Sequence, residues 1–286
     1  MSKMQATIKD EVSFFGSGIH TGVLTNMILK PAKENTGINF IRVDLNNNPV
    51  IKADISNIYS TKRSTSLKKG KAEIHTVEHI LAAITGAGID NIKIEIDNIE
   101  IPILDGSAKE FSERIYEIGI ITQKSKREYF KIQKKITFID ETTGSMLVAT
   151  PSEKYDIDVE INYNSKTLGI QKASLNSISN FKSEISSSRT FCFLHELEDL
   201  LDKNLVKGGD INNAIVVVDN EISNEKALKL KKAFNNTNID VNSHGYLNNV
   251  SLRYNNEPAR HKLLDVIGDL SLVGMPIKGK ITAFKP

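Results

Sequence analysis

Two short stretches far apart in the chain hold residue types suited to hydrolytic metal chemistry: His75-Thr76-Val77-Glu78-His79 and His261-Lys262-Leu263-Leu264-Asp265. Each lies in a segment of helical periodicity, so Glu78 and His79 are neighbours on one helix, while His261 and Asp265 project from one face of another. Two imidazoles and one carboxylate are a zinc ligand set that leaves a fourth position open for water, and Glu78 supplies a base beside it. The run Arg260 to Asp269 extends the pattern, with His261, Asp265 and Asp269 at successive i, i+4 positions. Such a stripe is either a solvated helix face or a buried one, and burial demands a partner, which a metal would be.

His75, Glu78 and His79 also spell H-x-x-E-H, the pattern of inverted zinc peptidases, in which both histidines bind metal and the glutamate is the base. That alternative needs a further glutamate ligand on a downstream helix and leaves His261 and Asp265 without a role. A third alternative treats the cluster as ordinary helix residues.

The elements around these residues alternate without a steady βαβ rhythm. Strand-like runs at Met27 to Pro31 and Gly37 to Val43 precede a helix expected from Thr76 to Thr85 and stopped by Gly86 and Gly88. Asn91 to Ile96 alternates polar and apolar residues as a half-buried strand does. A tight turn at Pro102 to Ser107 leads into a helix over Ala108 to Glu117, and the charged stretch Gln123 to Glu128 reads as a boundary. Beyond it, strands are expected at Tyr129 to Ile139, Met146 to Thr150 and Ile157 to Tyr163. A helix near His195 to Leu201, a strand at Ala214 to Val218 and a long helix Pro258 to Val273 follow, with Pro258 in a first turn that tolerates it. The polar, Asn-rich segment 220–249 reads as an insert with one helix near Asn224 to Phe234. The pattern predicts an α+β protein of two related sheet-plus-helix domains, 1–126 and 127–286, with the helices between them and the site at their interface.

Composition narrows the function classes. Hydrophobic residues make up 40% and charged residues 25% of 286, the profile of a chain with real cores. A net charge of +2 and two short lysine patches, Lys68 to Lys71 and Lys229 to Lys232, lack the aromatics and extent of a nucleic-acid surface. Cys192 is the single cysteine, so no intrachain disulfide forms, and its apolar neighbours predict a buried thiol. Neither a signal peptide nor a run of ~20 apolar residues is visible, so the sequence reads as a soluble cytoplasmic protein without stable membrane insertion.

Six motifs, in order and spacing, resemble the zinc-dependent UDP-3-O-acyl-N-acetylglucosamine deacetylases of lipid A biosynthesis. They are Gly16-Ser17-Gly18-Ile19-His20-Thr21-Gly22, His75 through Ala83, Ile101 through Ser107, Ser188-Arg189-Thr190-Phe191, Lys207-Gly208-Gly209, and Asn256 through Leu270. The resemblance implies that His79, His261 and Asp265 hold Zn2+, that Glu78 is the general base, and that His75 is not a ligand. It gives Thr190 a hydrogen bond to the oxyanion and puts Lys262 near the reacting amide and the anionic part of a UDP-linked acylated glucosamine substrate. Phe191 and Leu197 fall where the family lines an acyl passage, here an insert near 190–218, with plain core packing as their alternative. His20 lies where the family has a histidine near the substrate, though its Gly-rich turn also reads as a simple hairpin. His195 and His244 match no motif and read as surface or capping residues.

The family also carries a Gly-His pair beyond the strand that here reads Gly279 to Pro286; that histidine is its general acid, supported by the aspartate matching Asp269. It is not among these 286 residues, so a longer native chain is expected, and the insert at 220–249 resembles the branch fused to an acyl-carrier-protein dehydratase domain. Without that acid, a non-catalytic protein that binds nucleotide sugar or an acyl chain is the remaining alternative.

Overall fold

The computed structural model describes residues 3–197, 213–220, 228, 245–247 and 250–286. The Lys207-Gly208-Gly209 motif, His244, the lysine patch at 229–232, all but residue 228 of the helix expected at 224–234 and the end of the one expected at 195–201 lie outside the described residues.

Residues 12–96 build a five-stranded sheet in the order Val12–Ser17, Leu24–Pro31, Ile92–Ile96, Ile38–Arg42, Val50–Lys52. Only the pairing of Ile38–Arg42 with Ile92–Ile96 is parallel. Alternation drives it: Ile92, Ile94 and Ile96 are buried while Lys93 is exposed. A three-stranded ribbon of Ile58–Ser60, Ser66–Lys69 and Ala72–Ile74 leads toward the first chemical motif.

The later residues build a second sheet in the order Ile136–Asp140, Ser145–Thr150, Ile277–Phe284, Tyr155–Asn162, Ile170–Leu175, with Phe130–Lys131 joining Ile277–Phe284. Its central strand is the last in the chain. Mixed sheets and helices make an α+β fold, and no described sheet takes strands from both sides of residues 126 and 127. Strand Phe191–Phe193 pairs in parallel with Ile215–Val217.

Four helices are fully described. Helix α1, Glu78–Gly86, buries eight of its nine residues, as an element apolar all round must. Helix α2, Lys109–Ile118, is amphipathic, burying Phe111, Ser112 and Ile115, and ends at Gly119 with φ +86. The short α3, Phe181–Glu184, packs on α1. Helix α4, Glu257–Leu270, starts on Pro258 and packs on α1 and on strands Tyr155–Asn162 and Ile170–Leu175. Helices α1 and α4 join apolar residues of both sheets into one continuous core, from Ile8 to Ala283. Among the described residues no helix is long and apolar enough to cross a membrane.

Two sequence expectations need correction. The run Tyr129 to Ile139 is two strands, because Phe130–Lys131 pairs with Ile277–Lys278 whereas Ile136–Asp140 pairs with Ser145–Ala149. The helix expected from Thr76 starts at Glu78, and His75 is not helical: it forms a parallel bridge with Glu100.

Candidate active site

The first turn of α1 is set by an unusual backbone. Thr76 has φ +60, a left-handed conformation that a β-branched residue adopts only under constraint. Its hydroxyl donates to Glu100 Oε1 at 2.9 Å, which holds the turn and aims Glu78 and His79 toward α4. The two helices then touch closely, since a Cβ on Gly268 would lie 2.1 Å from the Glu78 carbonyl oxygen. Only glycine fits there.

Across this contact, Nε2 of His79 lies 3.7 Å from Asp265 Oδ1, and Nε2 of His261 lies 3.5 Å from the same oxygen. The rings stand perpendicular with centroids 5.0 Å apart, and one ligand atom from each of the three residues falls within 4.8 Å of the others. His261 Nδ1 is 3.0 Å from the Ser188 carbonyl oxygen, which can only accept. The proton is therefore on Nδ1, and the Nε2 lone pair faces Asp265. Asp265 Oδ1 is buried with no hydrogen-bond partner among the described residues, and neither has His79 Nδ1.

The His261 Nε2 lone pair and the Asp265 carboxylate oxygen face each other without a shared proton, and such atoms repel unless a cation sits between them. Donors about 2.0–2.2 Å from a tetrahedral zinc stand about 3.4 Å apart, and nitrogen, nitrogen and oxygen are zinc donors. The residues fit that ion.

The electrostatics fit as well. Burial and the facing His261 pull His79 down to about 4, and burial lowers His261, so both imidazoles are neutral near pH 7 and free to ligate. Burial would lift Asp265, but His261, Lys262 and His79 outweigh it and hold the carboxyl below its ordinary range. Burial, then the charges of Asp265 and Asp269, push Glu78 well above its ordinary range. Glu78 Oε2 accepts from the Thr65 backbone N–H at 3.1 Å. Lys262 Nζ takes the other Asp265 oxygen at 3.2 Å, and Asp265 and Tyr163 overcome burial to keep its ammonium charged. Asp269 accepts from the Thr65 hydroxyl at 2.6 Å and is pushed up to about 6, by loss of solvent first and by Asp265 second.

Thr190 is fixed by its backbone, donating to Gly106 at 2.7 Å and accepting from Ile215 at 2.8 Å, while its hydroxyl has no partner among the described residues. Phe191 packs against the His261 ring at 6.4 Å and against Tyr163 at 5.6 Å. Leu197 is buried in the helical stretch 194–197. His195 is exposed and stacks on Phe193. His20 sits in the loop of the hairpin Val12–Ser17/Leu24–Pro31, near Glu100, Arg63 and His75, and burial lowers its pKa. His75 is turned away from the cluster toward Ser66 Oγ at 3.2 Å and Glu73 Oε2 at 3.4 Å. Burial pushes the Cys192 thiol up to about 12, leaving it a hydrophobe rather than a nucleophile.

This chain matches the family described as UDP-3-O-acyl N-acetylglycosamine deacetylase over residues 5–237 and 233–286. It belongs to that family. It is 43% identical to the bifunctional enzyme LpxC/FabZ of Porphyromonas gingivalis and 42% identical to that of Bacteroides thetaiotaomicron, over 99% of this chain and 61% of each relative. It is 38% identical to the UDP-3-O-acyl-N-acetylglucosamine deacetylase of Helicobacter hepaticus, over 98% of this chain and 85% of that one. The chain thus spans about three fifths of the bifunctional relatives.

Two residues that sequence reasoning passed over hold this deacetylase-family site together. Glu100, fully buried, accepts from the backbone of His20 at 3.0 Å and Thr21 at 2.8 Å and from the hydroxyls of Thr21 and Thr76, and it fills the space a Cβ on Gly18 would need. Glu257, also fully buried, accepts from Arg189 and from the Arg253 backbone. Both lie within or beside quoted motifs, yet their partners are 24 to 80 residues away for Glu100 and 68 away for Arg189. No local signal reports such pairs; a glutamate ahead of a helix-opening proline reads only as a favourable first-turn charge.

Proposed function

We propose that this chain is a zinc-dependent amidase that removes the N-acetyl group of UDP-3-O-(3-hydroxyacyl)-N-acetylglucosamine, releasing acetate and leaving a free amine for lipid A assembly. One observation carries the reading: His79 Nε2 and His261 Nε2 both face Asp265 Oδ1, at 3.7 and 3.5 Å, an oxygen with no hydrogen-bond partner among the described residues, beside Glu78. Membership of the deacetylase family supports the substrate.

A zinc ion held by His79, His261 and Asp265 would supply a Lewis acid for the amide carbonyl and lower the pKa of water toward about 7. Glu78 takes the proton from the attacking water. Thr190 donates its hydroxyl to the oxygen that becomes negative, and the Lys262 ammonium adds positive charge on the same side. When the C–N bond breaks, the amine needs a proton. Glu78, having taken the proton from the attacking water, is the group placed to hand it on. We assign Asp269 to steadying a protonated group near the leaving amine, Phe191 and Leu197 to the acyl passage, and His20 and Lys262 to the rest of the substrate.

We also propose that the chain divides near residues 126 and 127 into two related units with the site at their junction; the absence of a described sheet spanning that point supports this. Likeness to proteins named LpxC/FabZ favours the branch of the family fused to a dehydratase domain.

The test combines metal analysis with acetate release from the UDP-linked substrate. About one zinc per chain is expected, with release abolished by a chelator and restored by zinc. His79→Ala, His261→Ala and Asp265→Ala each weaken zinc binding strongly, and His75→Ala weakens it little. If His75→Ala removed zinc while His261→Ala kept it, the peptidase reading would replace this one. A zinc-loaded native full-length protein that released no acetate would overturn the substrate assignment.

A further inference from the structure

Glu257 stands four residues before His261 on the first turn of α4, with no exposed surface. Four donors converge on its carboxyl group: the Arg189 backbone N–H and Nε, both 2.9 Å from Oε1, and Arg189 Nη2 at 3.1 Å and the Arg253 backbone N–H at 2.6 Å, both on Oε2. None is a backbone N–H of its own helix, so the group does more than balance a helix dipole. It fastens the loop 187–190 to α4. Arg253 adds a second grip, with Nη1 2.7 Å from the Ser187 carbonyl oxygen.

That loop carries a group that reaches the cluster, since the Ser188 carbonyl accepts from His261 Nδ1 at 3.0 Å, and two residues on comes Thr190, whose hydroxyl has no partner among the described residues. Arg189, between them, is the residue Glu257 holds. We propose that Glu257 is a positioning residue that acts through Arg189: it fixes the Ser188 carbonyl so that His261 keeps its proton on Nδ1 and turns Nε2 toward Asp265, and it sets Thr190 in the same stroke. The proposal rests on reading His261 as a zinc ligand. Partners that orient ligating histidines are typically worth about 10–100-fold in metal affinity.

Long-range 15N–1H spectra of the histidine-labelled, metal-free chain test it, with His261→Gln assigning the resonance and competition against a chromophoric chelator giving zinc affinity. The wild-type chain is expected to show His261 as a single Nδ1–H tautomer. Glu257→Gln, which turns an amide N–H2 toward donors, should give mixed tautomers and bind zinc about 10–100-fold more weakly. Arg189→Met keeps the backbone donor and removes the guanidinium, so it should move both readouts the same way by less, and it carries the test should Glu257→Gln fail to fold. A lowered melting temperature with tautomer and zinc affinity unchanged would show Glu257 to be a fold support only and overturn the proposal. A wild-type chain with the Nδ1–H tautomer but no zinc binding would instead overturn the ligand reading, and the tautomer comparison would still decide the role of Glu257.

Discussion

Under the proposed zinc reading, a base for water must be near the metal yet not be consumed as its ligand, and the start of α1 would give Glu78 that place. Its carboxyl takes the Thr65 N–H on Oε2 and feels Asp265 and Asp269 as charges, whereas the two histidines, not Glu78, face Asp265 Oδ1. Affinity and rate should therefore separate. Glu78→Gln is expected to bind zinc within a few-fold of wild type while kcat falls by about 10²–10⁴, the usual worth of a positioned acid or base. Zinc occupancy and turnover lost together would make Glu78 a ligand or a structural residue. The same scale explains what the motif H-x-x-E-H conceals: spacing alone allows His75 and His79 one helix, but the left-handed Thr76 and the isolated bridge from His75 to Glu100 keep His75 off the helix, against Ser66 and Glu73.

Among the elements, α4 was legible in outline. Pro258 marked its start, and the i, i+4 spacing put His261 and Asp265 on one face, where they meet His79. The strand Ile92–Ile96 was legible for the same reason, a period that burial imposes. What stayed hidden was set by distant partners: the split of residues 129–139, decided by two different neighbours, and the last strand, Ile277–Phe284, which enters the middle of its sheet. Equally hidden was the contact of α1 with α4 through Gly268. Alanine there would bring a Cβ to 2.1 Å of the Glu78 carbonyl oxygen, so backbone must move and overpacking of this kind costs about 1–3 kcal/mol. Gly86 is a control at the other end of α1, where a Cβ would meet the Phe181 ring at 2.2 Å. Both Gly268→Ala and Gly86→Ala should lower the melting temperature. Only Gly268→Ala should also cut kcat per folded, zinc-loaded chain by tenfold or more, because it displaces the base. Equal kcat in the two variants would show that the helix contact supports the fold without positioning Glu78.

For the molecule as a whole, the site is a buried charge cluster whose energy depends on protons. In the metal-free chain the histidines and the carboxyls pull stability in opposite directions. His79, lowered to about 4 when folded against about 6.5 unfolded, takes up its proton more readily in the unfolded chain, so its contribution is lost as pH falls from 6.5 toward 4. Asp269, raised to about 6 against an ordinary 3.8, holds its proton more tightly in the folded chain, so its contribution is lost as pH rises through the same range. Wild-type acid titrations should therefore look flatter than either group alone would make them. Asp269→Asn removes the titrating carboxyl group while leaving an acceptor for the Thr65 hydroxyl. Its stability relative to wild type should then be lowest near pH 3.8, increase as pH rises to about 6, and stay constant above that, as measured by urea unfolding of the two metal-free chains at a series of pH values. A difference that is flat across pH 4 to 6 would mean that Asp269 titrates in the folded chain as it does in the unfolded one, and one that falls as pH rises would mean that its folded neighbours favour the charged carboxylate; either would overturn the expectation.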